Sequence, residues 1–397
     1  MKRVVITGLG IISSIGNSKT QVLSSLKNSK SGIIFSPKMK QFGIKSHVWG
    51  AINVDIANID RVMSKFMSCA TIYTYFAMEQ AIQDAYLNND VYKKNHRVGI
   101  IAGTGCSSFE NPVNNIYKND KLYFLIQNMP SNIPACLSTF YNIYGMSHSI
   151  SSACATSSNC INYAAELIQF GKQDLVFAGG AEGLSCNLAS KFDMMNALSV
   201  KYNSYPEQAS RPYDTNRDGF VISGGAGILV LEELEHARSR RARIYAEVMG
   251  FGSASDGVSM IRPSGLGLVQ AMKTAIRNSD NIMINYINTH GTSTQIGDLV
   301  ELRAIKRVFK NFIPYISSTK SITGHALGAS GVHEIIYVIL MMYNNFIAPS
   351  VNIDFLVPYA KNMNIITKIK KSNIMVAMSN SCGFGGVNTS IILKKYD

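Results

Sequence analysis

The chain has few charged residues. They make up only 16% of its 397 positions, whereas hydrophobic residues make up 46%. Acidic residues are fewer than basic ones, with 25 Asp and Glu against 38 Lys and Arg, so the formal net charge is +13. This composition favours a well-buried α/β protein that buries a further surface in an oligomer.

Long apolar runs and dense basic runs are also lacking. The longest apolar helix in the pattern, residues 335–343, is too short to cross a bilayer, so we expect a buried core helix there and no membrane span. The first residues resemble a signal peptide only weakly, because Thr7 and two glycines interrupt the apolar stretch. The most basic stretch, residues 238–243, is interpreted as a solvated turn, and no motif indicates nucleic-acid binding.

The cysteines show no paired spacing. There are seven, an odd number, and none of the spacings is typical of a zinc site. A reduced compartment fits this usage best, so we expect a cytoplasmic protein with neither a metal ion nor a cofactor.

One of these cysteines stands in a distinctive setting. Residues 149–158 read Ser-Ile-Ser-Ser-Ala-Cys-Ala-Thr-Ser-Ser, and a helical pattern follows them. Cys154 is therefore predicted where a strand turns into a helix, a position where the helix dipole and free N–H groups stabilise a thiolate. By itself this segment fits a small buried cysteine in a tight turn as well as a nucleophile.

Two histidine segments favour the nucleophile. His290 ends a short apolar run and is followed by Gly-Thr-Ser-Thr. His325 stands in Thr-Gly-His-Ala-Leu-Gly at a second strand-to-helix turn, with Lys320 just upstream. Cysteine and histidine form a recognised nucleophile–base pairing, and the partners need only meet in space.

The order of strands, helices and small-residue turns occurs twice along the chain. The pattern predicts parallel sheets with helices on their faces, built by an internal duplication around a pseudo-twofold axis. We place the boundary in the charged stretch before residue 243, which gives an N-terminal half, 1–242, and a C-terminal half, 243–397. Residues 106–148 have few strong periods and are interpreted as an irregular insertion that caps the site.

Several motifs together resemble one enzyme family, the β-ketoacyl-acyl carrier protein synthases of type II fatty acid synthesis. The motifs are Val-Val-Ile-Thr-Gly-Leu-Gly from Val4, Ser-Ser-Ala-Cys-Ala-Thr-Ser from Ser151, Ser-Arg-Pro-Tyr-Asp from Ser210, Arg-Asp-Gly-Phe-Val-Ile from Arg217 and Asn-Ser-Cys-Gly-Phe-Gly-Gly from Asn380. They run from one end of the chain to the other. Within the family the chain most resembles the synthase I branch, which is linked to unsaturated fatty acids. Two features carry this resemblance, the glycine in Ile222-Ser-Gly-Gly-Ala-Gly and the segment from Ile347.

The resemblance implies a fold and a reaction. The fold is the thiolase-like α/β fold, with duplicated βαβ halves in five αβαβα layers. The reaction is a decarboxylative Claisen condensation, in which an acyl chain carried by the enzyme as a thioester is extended by malonyl-acyl carrier protein. The implied partners are the acyl and malonyl forms of acyl carrier protein and a second copy of this chain, in a homodimer.

The family's catalytic positions match this sequence residue by residue. The resemblance implies that Cys154 is acylated and that His290 and His325, kept neutral by burial, donate hydrogen bonds to the malonyl thioester oxygen. Lys320 matches a lysine that orients the histidines and favours the thiolate. Glu301 matches a glutamate that pairs with this lysine, since an unpaired buried lysine is costly.

Further residues are expected around the substrate. The N–H groups of Cys154 and Phe384 are the implied oxyanion hole, because the neighbouring glycines permit close approach. Thr292 and Thr294 match positions that bind the pantetheine arm, although turn hydroxyls that satisfy backbone groups would look the same. Phe192 and Met129 are also expected to contact the substrate. Asp298 is interpreted as an ordinary charge in a first helical turn.

The sequence departs from the family pattern at three positions near the site. Cys382 replaces a bulky gate aromatic, Val387 replaces a hydroxyl-bearing residue, and Cys106 stands where close relatives have glycine. Because the catalytic set is intact, we expect an active enzyme with a looser pocket.

Other classes of protein fit these residues less well. A thiolase needs a second catalytic cysteine late in the chain, but the late Cys382 lies in the gate motif. The chain-initiating and chalcone-type enzymes carry asparagine where this chain has His325. A non-catalytic chain-length subunit would lack Cys154, and a nucleic-acid-binding protein would need a motif that is missing here.

Overall fold

The computed structural model describes residues 1–55, 59–106, 123–310 and 312–396. Its strands are β1 (Val4–Ile12), β2 (Ile33–Phe35), β3 (Val48–Gly50), β4 (Val98–Thr104), β5 (Ser147–His148), β6 (Leu175–Glu182), β7 (Ile222–Ser223), β8 (Gly225–Glu233), β9 (Ala246–Ser255), β10 (Tyr286–Asn288), β11 (Tyr315–Ser317), β12 (Phe346–Ile347), β13 (Lys370–Lys371), β14 (Val376–Gly383) and β15 (Val387–Lys395).

The helices fall between these strands. They are α1 (Lys19–Asn28), α2 (Pro37–Gln41), α3 (Arg61–Ser64), α4 (Cys69–Asp84), α5 (Asn89–Tyr92), α6 (Phe124–Asn128), α7 (Asn132–Tyr141), α8 (Thr156–Gln169), α9 (Cys186–Met194), α10 (Leu234–Ser239), α11 (Leu266–Asn278), α12 (Gly297–Phe309), α13 (Lys320–Thr323) and α14 (Ser330–Asn344). Short 3-10 turns cover Pro206–Gln208, Leu327–Ala329 and Pro358–Ala360.

The main sheet is built from two halves with the same strand order. From the centre outward, the first half runs β1, β8, β6, β4, β5 and the second runs β9, β15, β14, β10, β11. Within each half these are the first, fifth, fourth, second and third main-sheet strands along the chain. The identical order supports the predicted duplication. The halves meet where β1 pairs with β9 at Val5–Glu247 and Ile6–Ala246.

Only the outer part of each half is parallel, so the prediction of parallel sheets was partly wrong. β4 is parallel to β5 and β6, and β10 is parallel to β11 and β14. The inner strands β8 and β15 run antiparallel to both of their neighbours. β14 and β15 are joined by three residues, which is long enough for a hairpin but far too short for a parallel crossover.

Helices cover the sheet halves and also lie between them. α4 packs on β1 and β8, and α11 packs on β9 and β15 on the other side of the molecule. α8 and α14 touch each other and strands of both halves, so they form the middle layer. Every residue of α14 from Ser330 to Met342 is buried, which confirms the predicted core helix.

The predicted insertion is more regular than the sequence indicated. Within residues 106–148 the structure contains α6, the ten-residue helix α7 and the short strand β5. Buried side chains of α7 such as Ile133 and Leu137 pack into the core beside α4, and this burial stabilises a helix that the weak periodicity did not predict. Residues 107–122 lie outside the described ranges.

Candidate active site

Cys154 sits in a strained turn two residues before α8. The preceding Ala153 has a φ of 50°, an uncommon conformation for a residue other than glycine. Thr156 holds the turn closed, because its hydroxyl accepts from the Ser152 N–H at 2.9 Å and donates to the Ala153 carbonyl at 2.7 Å. The strain is thus fixed by local hydrogen bonds, and the thiol projects into a cavity.

That cavity has a volume of about 570 Å³ and collects most of the predicted site. Its lining includes Cys154, Phe192, His290, Thr292, Thr294, Glu301, His325, Cys382 and Phe384. These residues come from both halves of the chain, so the site forms where the halves meet. The other wall is apolar and includes Met260, Ile261 and Leu268.

Two predicted residues are not on this lining. Lys320 lies behind it and is 2% exposed. Met129 follows α6 and is about one-third exposed, away from the cavity wall. Its contact with substrate therefore has no support within a single chain and stays a prediction.

Cys154, His290 and His325 form a compact group. One donor atom from each lies within 4.8 Å of the others, and the imidazole rings meet edge to face with centroids 5.1 Å apart. His325 Nδ1 is 2.9 Å from the Ser330 hydroxyl, whereas its buried Nε2 has no hydrogen-bond partner within the described residues. Three such donors could also hold a metal ion, but we assign them to thioester chemistry.

Both histidines are neutral. Burial lowers the pKa of His290 and of His325 well below the usual value, and the positive charge of Lys320 lowers both further. A neutral imidazole carries one N–H donor and one acceptor nitrogen. This protonation state agrees with the predicted role of donating to a developing oxyanion.

Lys320 pairs with a different carboxylate from the one the sequence indicated. Its ammonium group bonds Glu334 of α14, and both side chains are buried. Glu301 instead accepts from the backbone N–H groups of His290, at 2.9 Å, and Gly291, at 2.8 Å. The predicted Lys320–Glu301 pair is therefore wrong. Burial raises the pKa of Glu301 to about 7, although its hydrogen bonds from the Gly291 and His290 N–H groups and the charge of Lys320 act in the opposite direction. Through those two hydrogen bonds the Glu301 carboxyl group holds the His290 backbone in place.

The thiol of Cys154 is less acidic than its turn suggested. Burial raises its pKa to about 12, and the nearby Glu182 raises it as well. The charge of Lys320 and hydrogen bonds from the N–H groups of Phe384 and Cys154 act in the opposite direction but do not prevail. The expected stabilisation of the thiolate is outweighed by burial, so the resting site contains a neutral thiol.

The loop after β14 brings a second N–H group to the sulfur. A Cβ added at Gly383 would lie 2.7 Å from the Ser152 carbonyl oxygen, so only glycine permits this approach to the Cys154 turn. Gly385 and Gly386 have φ angles of 83° and 77°, which turn the chain back into β15. Phe384 is 41% exposed at the cavity wall.

Polar groups fix the wall that carries the two threonines. The hydroxyls of Thr292 and Thr294 are 3.1 Å apart on the cavity lining. Asp298 accepts from the N–H of Ser293 at 3.1 Å and lies 3.4 Å from the Arg217 guanidinium. Asp298 does lie in the first turn of α12, as predicted, but it is 1% exposed and has these partners, so it is not an ordinary charge of a helix start.

Sequence reasoning missed two buried carboxylates beside the site, Glu334 and Glu182. Each had a signal in the sequence, because Glu334 interrupts the apolar residues of α14 and Glu182 ends the apolar strand β6. A lone carboxylate within an apolar element is costly unless it has partners. That cost could have marked both as residues with a partner in the interior.

The duplicated five-layer fold and the cavity with one cysteine and two neutral histidines define a condensing enzyme of the thiolase-like class. The family model for the β-ketoacyl synthase N-terminal domain matches residues 1–237, and the model for the C-terminal domain matches residues 245–354. The chain therefore belongs to the β-ketoacyl synthase family, whose members are acyltransferases.

Curated relatives match over the full length. This chain is 56% identical to 3-oxoacyl-[acyl-carrier-protein] synthase 1 of Buchnera aphidicola subsp. Baizongia pistaciae, with all of both chains covered. It is 51% identical to the Escherichia coli K12 enzyme of the same name, with 100% of this chain and 99% of the relative covered.

Solved structures agree with the fold. A β-ketoacyl synthase from Burkholderia phymatum superposes with a TM-score of 0.92 at 34% identity, over the whole of both chains. A type II polyketide ketosynthase, solved in complex with its acyl carrier protein, gives a TM-score of 0.88 at 28% identity and the same coverage. Within the described ranges of our chain, no helix combines the length and apolar character needed to cross a membrane.

Proposed function

We propose that the chain is a 3-oxoacyl-acyl carrier protein synthase of the synthase I type, which lengthens acyl chains in fatty acid synthesis. One observation carries the proposal: Cys154 and two neutral histidines lie within 4.8 Å of one another in a cavity with an apolar wall. A nucleophile, two donors and space for an acyl chain are what the condensation requires.

In the first half-reaction, the Cys154 sulfur attacks the acyl thioester carbonyl of acyl carrier protein. The N–H groups of Cys154 and Phe384 hold the oxyanion, and the pantetheine sulfur leaves. The proton lost by the Cys154 thiol ends on the departing sulfur. The exchange is therefore neutral overall, which suits a buried thiol with a raised pKa.

In the second half-reaction, malonyl-acyl carrier protein loses carbon dioxide. The electron pair of the broken C–C bond passes into an enolate, whose oxygen accepts hydrogen bonds from His290 and His325. The enolate carbon then attacks the Cys154 thioester, the sulfur leaves as a thiolate, and it takes up one proton from solvent, which is the proton that this half-reaction consumes. The product is a 3-ketoacyl chain two carbons longer. Thr292 and Thr294 hold the pantetheine arm, and Phe192 contacts the acyl chain.

Further parts of the proposal rest on relatives and composition. The synthase I names of the curated relatives and the glycine of Ile222-Ser-Gly-Gly-Ala-Gly support a role in unsaturated as well as saturated fatty acid synthesis. The solved ketosynthase bound to its carrier protein supports acyl carrier protein as the partner. The low charge content supports a homodimer, and the odd number of cysteines without paired spacing supports a cytoplasmic site of action. The charged stretch before β9 supports halves divided as 1–242 and 243–397.

Acylation of Cys154 tests the nucleophile. Incubation with an acyl-acyl carrier protein should add one acyl mass, and peptide mapping should place it on Cys154. The Cys154→Ala variant should take up no acyl group and should not condense. A stable adduct on Cys160 or Cys382 would contradict the assignment, and varying the chain length of the donor would reveal the preferred substrate.

The two histidines can be tested separately from the cysteine. His290→Ala and His325→Ala should each slow decarboxylation of malonyl-acyl carrier protein by roughly two to three orders of magnitude, the loss typical of one oxyanion donor. Both variants should still become acylated on Cys154. If His325→Ala blocks acylation but leaves decarboxylation unchanged, the proposed role is wrong.

A further inference from the structure

Glu182 is a buried carboxylate that the reaction above does not use. It ends β6, is 1% exposed, and accepts hydrogen bonds from neutral donors on two loops. Oε1 accepts from the Thr104 hydroxyl at 2.8 Å and the Cys106 N–H at 3.2 Å. Oε2 accepts from the N–H groups of Gly105 at 3.1 Å and Gly328 at 2.9 Å.

The two loops that share this carboxylate lie in direct contact. A Cβ at Gly328 would lie 2.3 Å from the Gly105 nitrogen, and one at Gly105 would lie 2.7 Å from the Ala153 carbonyl oxygen. The segment after β4, the turn after His325 and the Cys154 turn therefore pack against one another at Glu182.

The His325 segment needs support on its C-terminal side. On the N-terminal side the backbone is fixed to β7, because the His325 N–H donates to the Val221 carbonyl at 2.8 Å and its carbonyl accepts from Ser223 at 2.9 Å. Two residues further on, Leu327 has a φ of 49°, a strained value for a residue with a branched side chain. The next N–H, that of Gly328, is the one that Glu182 holds.

We propose that Glu182 is a positioning residue, which fixes the turn after His325 against the Cys154 turn so that His325 Nε2 faces the thioester. The inference rests on the proposed function, which gives His325 its role in decarboxylation. In this role Glu182 holds the strained backbone at Leu327 in place.

Glu182 forms a hydrogen-bonded bridge between the two loops and also carries a negative charge. Three substitutions separate the effect of the bridge from the effect of the charge. In Glu182→Gln the amide N–H can donate to the Thr104 hydroxyl, whose single proton can then turn to the Cys106 carbonyl, 2.9 Å away. The amide oxygen then still accepts from Gly105 and Gly328, and also from the Cys106 N–H, which lies 3.3 Å from that position, so the hydrogen bonds between the two loops survive without the charge. Glu182→Asp keeps the charge but is one methylene too short to reach both loops, and Glu182→Ala removes both features.

The rate of malonyl-acyl carrier protein decarboxylation is the first measurement. Glu182→Asp and Glu182→Ala should lower kcat by about 10- to 100-fold with little change in KM, because a displacement of about 1 Å costs that much. Glu182→Gln should stay within about threefold of the wild type. Equal kcat in all three variants and the wild type, or a Gln variant as slow as the Ala variant, would overturn the proposal.

Amide hydrogen exchange of the peptide spanning residues 322–332 is the second measurement, and it does not depend on activity. Exchange there should be faster in the Asp and Ala variants and unchanged in the Gln variant. Glu232→Gln is a matched control, because this equally buried carboxylate bonds Thr7 and Arg240 away from the cavity. It should lower the melting temperature without accelerating exchange at 322–332. A wild type that never decarboxylates malonyl-acyl carrier protein would refute the proposed function, whereas unchanged exchange in the Asp and Ala variants would refute the role of Glu182.

Discussion

At the residue scale, burial determines the charge state of the site. Cys154, His290 and His325 are all neutral at rest because charged forms are poorly solvated in the cavity. The identities of these residues could be predicted from short motifs. Their ionisation could not, because the helix-start argument for Cys154 ignores how deeply the turn is buried.

Pairing at the residue scale was equally hard to predict. The sequence correctly requires a carboxylate for Lys320, but Glu301 and Glu334 are both buried acids within reach of it. Glu301 is already held by two backbone N–H groups, which leaves Glu334 for the lysine. Only the folded structure distinguishes the two.

The pH dependence of decarboxylation should reveal the charge of Lys320. In the proposed mechanism a neutral histidine is the active donor, and a pKa below the usual value of about 6.5 keeps it neutral in mild acid. The rate should therefore hold between about pH 7.5 and 6, whereas an unperturbed histidine would already lose activity there. Lys320→Met removes one cause of the low pKa values of the two histidines. The acidic limb of its pH–rate profile, where activity falls as the pH is lowered, should therefore lie at higher pH.

Lys320→Arg is the control for that measurement, because it keeps a positive charge beside Glu334. Its acidic limb should remain where the wild-type limb lies, even if the rate itself is lower. An acidic limb at the same pH in the Met and wild-type enzymes would show that burial alone sets the protonation of the histidines.

At the element scale, strand-to-helix turns and the duplication were predictable, but sheet direction was not. The apolar run that ends at His290, the helical pattern after Cys154 and the apolar helix at 335–343 correctly predicted β10, α8 and α14. β8 and β15 were not predicted. β15 follows β14 through a three-residue turn, whereas β8 reaches its neighbour β6 through a long connection that includes α9. Since the helical crossovers were the basis for predicting parallel strands, these antiparallel central strands contradict that prediction.

The close approach of β14 to the Cys154 turn yields a prediction at this scale. In Gly383→Ala the new methyl group meets the Ser152 carbonyl oxygen at 2.7 Å, so the loop must move away and carry the Phe384 N–H with it. Acylation of Cys154 should slow by about 100-fold, as for loss of one oxyanion donor. Rapid-quench measurement of acyl transfer would give this rate.

Gly43→Ala provides the matched control. Gly43 has a φ of 80° but would place a Cβ with nothing within 4 Å, so its substitution adds backbone strain without a collision. The melting temperature should fall slightly, by the equivalent of about 1 kcal/mol, and acylation should be unchanged. If Gly383→Ala acylates as fast as Gly43→Ala, the Phe384 N–H does not contribute to the oxyanion hole.

At the scale of the whole molecule, part of the excess positive charge is used internally. The basic stretch 238–243 is largely an exposed turn, as predicted, although Arg240 within it forms a bidentate pair with buried Glu232, at 2.6 and 2.7 Å. Arg243 reaches Asp84 at 2.5 Å. Arg240 and Arg243 thus link neighbouring elements of the fold, so we expect an acidic partner to meet other exposed charges on the surface.

Arg61 and Lys65 are candidates for that surface. Both are exposed, and they lie four residues apart, Arg61 as the first residue of α3 and Lys65 directly after its last, although neither lines the catalytic cavity. The other candidates, Lys118 and Lys121, lie outside the described residues. If the α3 pair attracts acidic acyl carrier protein, Arg61→Glu with Lys65→Glu should raise the KM for carrier-protein substrates several-fold and leave a small acyl-pantetheine thioester nearly unaffected.

Salt and a matched variant complete this test. Exposed charges are screened over about 10 Å at 0.1 M ionic strength, so added salt should weaken the wild type more than the Arg61→Glu, Lys65→Glu variant. Lys368→Glu with Lys371→Glu changes the net charge equally at two other exposed positions and should leave the KM for carrier protein near the wild-type value. If both double variants raise that KM alike, overall charge rather than the α3 pair governs encounter. Equal losses on carrier-protein and small substrates would instead show that Arg61 and Lys65 support the fold.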